Sequence, residues 1–201
     1  MTPDLMLERG LEQLGIPSSE RIRTTLMSFS ALLLKWNATH NLTAIKDPLL
    51  IVSHHLLDSL AILPYLDKGA MVDVGSGGGF PGIPLAIYFP QVQFHLVDSI
   101  AKKLKVVDAV AQAIGLTNVT TQHIRAEEIK NRKFHYAVSR AVAPLKDLWK
   151  WSKPLLKKGK YEELPNGLIC LKGGDLAQEI SDSQLRPRMI AIEEIFKEEY
   201  F

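Results

Sequence analysis

The run Met71-Val72-Asp73-Val74-Gly75-Ser76-Gly77-Gly78-Gly79-Phe80-Pro81-Gly82-Ile83-Pro84 passes from a short apolar strand through a glycine cluster into a helical segment. Residues 71–74 are almost wholly apolar, as a strand buried on both faces must be. Glycines let the backbone turn tightly and approach a ligand with no side chain in the way. The helix that follows presents free N–H groups, and Pro81 or Pro84 is tolerated in its first turn, where no hydrogen bond is lost. In an open α/β sheet, ligands bind just beyond the carboxyl ends of the strands, which is where this loop falls.

Outward from the loop, toward the C-terminus, the rhythm repeats. The pattern predicts a helix over 83–89, a strand over 92–97 closed by Asp98, and a helix over 100–114 stopped by Gly115. Strands follow at 119–123 and 134–138, then a helix over 145–156, a fifth strand at 168–171 and a sixth at 189–196. Alternating strands and helices define an α/β fold: an open, mostly parallel, Rossmann-like sheet covered on both faces. Toward the N-terminus there is no strand signal. Helices are expected from Leu5 to Leu14, from Ile22 to Trp36 behind the cap region Ser18-Ser19-Glu20, and over 47–64. The polar segment 36–43 is expected to break the second of these. The chain thus divides into an N-terminal helical extension, 1–66, packed on a core, 67–201, as one structural unit.

Composition narrows the class further. With 201 residues, 46% hydrophobic and 23% charged, the chain suits one globular domain and excludes a disordered or collagen-like protein. No membrane span is expected from the distribution of apolar residues. The net charge of +2 is compatible with a nucleic-acid partner without arguing for one. Cys170 is the sole cysteine, so no internal disulfide forms; among Leu168, Ile169 and Leu171 it reads as a core residue. The opening MTPDLMLERG lacks a basic-then-apolar leader pattern, and a cytoplasmic location is expected.

Asp98 falls on the same sheet edge as the glycine loop, and a carboxylate there can accept both hydroxyls of a ribose. Loop plus acid describes a nucleoside-containing cofactor. A dinucleotide can be spelled through Gly77, Gly79 and Gly82, but counted from Gly75 the third glycine is replaced by Phe80. Asp73 would also repel a pyrophosphate. S-adenosylmethionine has no phosphate and carries a sulfonium and an ammonium, which suit that acid. Asp73 equally reads as a carboxylate that holds the loop without touching a ligand.

Trp36-Asn37, Asn41-Leu42-Thr43, His55-Leu56-Leu57-Asp58-Ser59-Leu60, the 72–84 string and Ser139-Arg140-Ala141 follow one another in an order that resembles the RsmG (GidB) family. These are bacterial methyltransferases that modify N7 of a guanine in small-subunit ribosomal RNA. The resemblance implies a class I methyltransferase sheet, S-adenosylmethionine as cofactor, and 16S RNA of the small subunit as partner. It implies no membrane and no metal, and a monomer is expected. By motif match it places cofactor binding on Gly75, Phe80, Ala126, Glu127 and Arg140, to which the loop-and-acid reading adds Gly77 and Asp98. Ala126-Glu127 would line the adenine; Arg140 would face the methionine carboxylate or an RNA phosphate. Guanine N7 has a free lone pair, so no general base is expected, and Arg140 and Lys172 are candidates for positioning. The family also ends with an antiparallel strand beside the fifth, whereas this chain stops at Tyr200-Phe201, which leaves the packing of 189–196 open.

Other features carry two readings. Lys102, Lys103 and Lys105, then Arg125, Lys130, Arg132 and Lys133, then Lys157, Lys158 and Lys160 are candidate phosphate contacts or simply solvated faces. His54 and Asp58 share a helix face, but no further metal ligands are evident. His55 and Asp58 are expected to organise a contact with 37–43, where Asn37, Asn41 and Thr43 read chiefly as capping and turn residues. Trp149 and Trp151 lie on different helix faces, so one suits the core and the other could stack a base.

Overall fold

Five parallel strands form one sheet: β1 Met71–Val74, β2 Phe94–Asp98, β3 Val119–His123, β4 Tyr136–Arg140 and β5 Gly167–Leu171. The computed structural model describes residues 1–196. The chain end at Tyr200-Phe201 lies outside the described residues. Strand order is β3-β2-β1-β4-β5, so the direction of growth reverses between β1 and β4. That reversal opens a crevice at the carboxyl ends of these two strands, immediately before Gly75 and at Arg140. All of β1 and β2 is buried, which explains their apolar composition.

The helices are α1 Pro3–Gln13, α2 Glu20–His40, α3 Pro48–Ile51, α4 Asp58–Leu60, α5 Gly82–Tyr88, α6 Ala101–Ala113, α7 Leu145–Ser152 and α8 Ala177–Ser183. Alternation along β1 sends Val72 and Val74 to one face, where they join Val97, Phe134, Ala137 and Leu148. Met71 points to the other face and joins a larger cluster that unites the extension with the core. Leu7, Leu11, Leu26, Phe29, Leu33, Leu56 and Leu60 pack there with Phe80, Ile83 and Leu96. Full burial of each such side chain contributes about 1.5–3 kcal/mol.

Several elements differ from expectation. The second helix does not break at 36 but runs to His40. Asn37 is buried, and its side chain bonds Leu42 N, Thr43 N and Thr43 O beyond the helix rather than competing within it. Asn41, in the left-handed region at φ 47°, ends the helix. The third helix is broken into α3, a π-helical segment Val52–Leu57, α4 and a 3-10 turn Leu63–Tyr65. By length and composition Pro48–Tyr65 is apolar enough to cross a membrane, yet 61% of it is buried inside the protein, as a core segment is. β2 starts two residues late because Val92 closes a turn on Phe89. β4 is shifted likewise, with Phe134 only bridging Leu156. Pro154, which has no N–H to donate, follows the end of α7 in a 3-10 turn.

The expected sixth strand is absent among the described residues, and the sheet there is wholly parallel. Residues 189–196 instead lead into a 3-10 turn, Ile192–Glu194, with Glu194 N bonding Ala191 O and Phe196 N bonding Ile192 O. Local hydrogen bonds satisfy this backbone, while Phe196 is buried. A cavity of about 420 Å³ lies between this segment and β5, lined by Tyr65, Leu171, Ile180 and Ile192.

Asn118 ties α5 to the sheet. Its buried amide nitrogen donates to Ala86 O, Phe89 O and Val92 O at 3.1, 3.0 and 2.9 Å. Asn118→Ala leaves buried carbonyls without a donor and should lower unfolding free energy by roughly 1–3 kcal/mol in urea titrations. A loss under about 0.5 kcal/mol would show that water replaces the amide there.

Candidate active site

Leaving β1, the chain turns through Gly75 and is stitched to β2, with Gly75 N and Ser76 N both donating to Val97 O. Gly75 has φ +73°, and a Cβ there would lie 2.8 Å from Val142, so both conformation and space require glycine. A Cβ at Gly77 would meet nothing within 4 Å, which marks the open side of the loop. Asp98, at the end of β2, joins two backbone segments: Oδ2 accepts from Gly77 N and Oδ1 from Ile100 N, both at 2.8 Å. Above it opens a cavity of about 330 Å³ whose lining includes Gly75, Gly77, Asp98, Ala126, Glu127 and Trp151. Ala126 and Glu127 reach it from a 3-10 turn after β3. The structure therefore brings these five expected cofactor residues to one cavity, together with Trp151.

Phe80 and Arg140 stand elsewhere. Neither lines the cavity; both flank the glycine loop on the side of the helical extension. The Phe80 ring is buried, 5.3 Å from Phe29 and 4.7 Å from His55 between ring centroids. An apolar ring gains more from that packing than from an open cleft. The Arg140 guanidinium lies 4.7 Å over the Phe80 ring, and its NH1 donates to His54 O at 3.0 Å and to His55 Nδ1 at 2.7 Å. Lys172 also points away from the cavity. It donates to Ala143 O at 2.7 Å and pairs with Glu179, which accepts from Leu145 N at the start of α7. The pair thus pins the segment after β4, where Ala141 has φ +48° and Val142 is exposed. Val142 and Ile100 line the cavity without any signal in the sequence, since their roles arise from the strand ends they follow.

The family model described as rRNA small subunit methyltransferase G, GidB, matches residues 22–198. The chain belongs to the GidB family. A ribosomal RNA small subunit methyltransferase G of Phocaeicola vulgatus is 47% identical over 186 residues, covering 91% of this chain and 88% of the relative. That of Porphyromonas gingivalis is 48% identical over 187 residues, covering 91% and 84%. Among solved structures, a ribosomal protein L11 methylase from Lactobacillus delbrueckii subsp. bulgaricus superposes with TM-score 0.50 at 18% identity, over 69% of this chain and 73% of that one. That likeness shows the class I methyltransferase fold alone. This GidB-family member is a ribosomal RNA methyltransferase, and its donor is of the S-adenosylmethionine type.

The residues present fit such a donor. Asp73 is fully buried beneath the loop; Oδ2 accepts from Gly82 N at 2.8 Å, while Oδ1 has no hydrogen-bond partner. Burial pushes its carboxyl well above the usual range, against the pull of the Gly82 N–H and of Arg140. Burial thus favours its neutral form, and Asp73 holds the loop through Gly82 N without lining the cavity; the fit rests on the cavity itself, with Asp98 at its mouth and the open glycine backbone at Gly77. Asp58 is raised to about 6, chiefly by burial, with Arg140 acting the other way. Burial holds the Cys170 thiol at about 12, so it is inert as a nucleophile. Among the described residues no group of three or more His, Cys, Asp or Glu side chains could hold a metal.

Of the basic residues, Lys103 and Arg125 line the cavity. Arg132 instead bonds His95 and lies over Phe134, and Lys133 bonds Pro154 O. Asp98→Ala removes the acceptor of both loop bonds; S-adenosylhomocysteine affinity by calorimetry should fall roughly ten- to a hundredfold. Unchanged affinity would remove Asp98 from the site.

Proposed function

We propose that this methyltransferase binds S-adenosylmethionine in the cavity between β1 and β3 and methylates N7 of a guanine in 16S ribosomal RNA. The observation that carries the reading is Asp98: it bonds Gly77 N at 2.8 Å at the mouth of the cavity that also holds Gly75, Ala126 and Glu127. In this reading Asp98 takes the ribose hydroxyls, Ala126 and Glu127 line the adenine, and the Gly75 and Gly77 backbones lie against the methionine portion. Phe80 and Arg140 then lie outside the cavity, on the extension side of the glycine loop, with Arg140 toward the carboxylate end or an RNA phosphate. The larger cavity under β5 has neither glycine loop nor Asp98.

Bound S-adenosylmethionine supplies an electrophilic methyl group on a sulfonium. The protein's own task is placement. Guanine N7 presents a lone pair and needs no deprotonation, so no side chain has to remove a proton. Val142 above Gly75 and the extension beside Phe80 bound the crevice, and alignment is the main contribution to rate. Lys172, through Ala143 O, sets the segment that carries Val142. Lys103 and Arg125 on the rim, with exposed Lys102 and Lys105, offer phosphate contacts. The extension, 1–66, and the core, 67–201, work as one unit, as a monomer, in the cytoplasmic compartment where ribosomes are made.

The test is methyl transfer from labelled S-adenosylmethionine to small ribosomal subunits from a strain lacking this modification, with free 16S RNA in parallel and the modified base mapped. Label at guanine N7 is expected; label on another atom or base would overturn the assignment. Binding of NAD in place of S-adenosylhomocysteine would return the dinucleotide reading. Affinity for RNA should fall steeply with added salt, and a flat response would remove the basic rim from the interface.

A further inference from the structure

The helical extension meets the crevice through a continuous polar chain in which Asn37 and His55 are buried and Thr43 and Arg140 half-buried. Asn37 anchors the turn after α2: its Oδ1 accepts from Leu42 N at 2.7 Å and Thr43 N at 3.0 Å, and its Nδ2 donates to Thr43 O at 2.9 Å. The turn so fixed points Thr43 Oγ1 at His55 Nε2, 2.6 Å away, while Ile45 N donates to the same oxygen at 3.1 Å. His55 is buried on the π-helical segment, a local widening that proteins often place at functional sites. Its Nδ1 lies 2.7 Å from Arg140 NH1, and Arg140 NH1 also bonds His54 O.

A guanidinium has donors only, so a bond from Arg140 takes the Nδ1 lone pair, whereas the His54 carbonyl oxygen, 2.8 Å from the same Nδ1 and also bonded by Arg140 NH1, takes an Nδ1 proton; the two compete for one atom. In the tautomer that serves Arg140, the ring proton sits on Nε2 and is donated to Thr43 Oγ1, 2.6 Å away. A protonated ring would set N–H against N–H. Burial first, and Arg140 second, hold the His55 pKa down at about 4, which keeps the ring neutral near pH 7. Arg140 is consequently gripped twice, at its edge by His55 and on its face by Phe80 at 4.7 Å. Asp58 and Asp73 lie close enough to oppose the effect of burial on that cation.

We propose that His55 is a positioning residue for methyl transfer: by accepting from Arg140 and donating to Thr43, it sets the guanidinium at the crevice and the turn of residues 41–45 relative to each other. The inference rests on the role of Arg140 given above and deepens it. Asn41, Ala44 and Lys46 on that turn are exposed. RNA bound against them would therefore be registered at Arg140 through one imidazole.

The two arms of the ring can be separated chemically. His55→Asn keeps an acceptor near the Nδ1 position and loses Thr43. His55→Gln reaches toward Thr43 and loses the acceptor for Arg140. His55→Leu keeps bulk and loses both. The full chain and each variant, with Arg140→Ala and Thr43→Val alongside, are assayed for methyl transfer to small subunits, S-adenosylhomocysteine affinity and melting temperature. His55→Leu and His55→Gln should lose roughly tenfold or more in kcat/KM, the scale of one charge-assisted hydrogen bond, and His55→Asn should stay within about threefold of the wild type. A purely structural role would lower all three in step with melting temperature, with no split between Asn and Gln, and that result would overturn the proposal. If Arg140→Ala is impaired while His55→Leu and His55→Gln are not, the positioning role falls and the Arg140 reading stands. If Arg140→Ala is wild-type in every assay, both fall. Should the position-55 variants fail to fold, Thr43→Val carries the test: a loss of about threefold in kcat/KM at unchanged melting temperature is expected, and wild-type kinetics would overturn the proposal.

Discussion

Two carboxylates hold the glycine loop in place, and the rest of the site is arranged around them. Asp73 grips the start of α5 from beneath through Gly82 N, and Asp98 grips Gly77 N from the side. Both hydrogen bonds measure 2.8 Å and both join an ionisable group to backbone that has no side chain to pack. A glycine cluster is otherwise the most entropically costly stretch of a chain to order. Held at both ends, it presents an open face at Gly77 where the strand order reverses between β1 and β4.

The other organising contact is apolar. Phe80 leaves the loop on the side opposite Asp98 and enters the cluster formed by α2 and the π-helical segment. Leu33 and Leu42 come close to Gly78 from the same direction. The extension is therefore a wall of the active site as well as a cover for the sheet. Arg140 sits where the two parts meet, half-buried, with the Phe80 ring below it and His55 beside it. Burial lowers the pKa of this cation while Asp58 and Asp73 act the other way, and this ties the electrostatics of the extension to those of the loop.

This division gives the two sides of the crevice different characters. The side of β2 and β3 is a cavity with polar groups at its mouth, suited to a nucleoside. The side of the extension is densely packed, with its polar atoms linked to one another. Lys172 and Glu179 add a third fixed point by holding the segment after β4, in which Ala141 adopts a left-handed backbone. Strain of that kind persists only where neighbours over-determine the chain. Placement is the kind of catalysis such an arrangement supports.

What could be read from the sequence was what local interactions determine. The strand, glycine loop and helix from Met71 to Tyr88 follow from composition and spacing within one short stretch, and Asp98 and Ala126-Glu127 follow from lying just past strand ends. The parallel sheet follows from alternation. Where the outcome depended on how the chain turns back, or on residues far away in it, only the tertiary structure decided. Asn37 looked like a helix breaker and is a helical residue, because its polar atoms are satisfied by Leu42 and Thr43 after the chain has turned back. The 189–196 segment has strand-like apolar content but satisfies its backbone locally in a 3-10 turn. Phe80 and Arg140 were legible as members of the site, yet the direction each side chain takes is set by Phe29 and His55, about fifty and eighty-five residues away in the chain. A residue's identity limits the partners it can have. Which partner it meets is fixed only when distant elements pack.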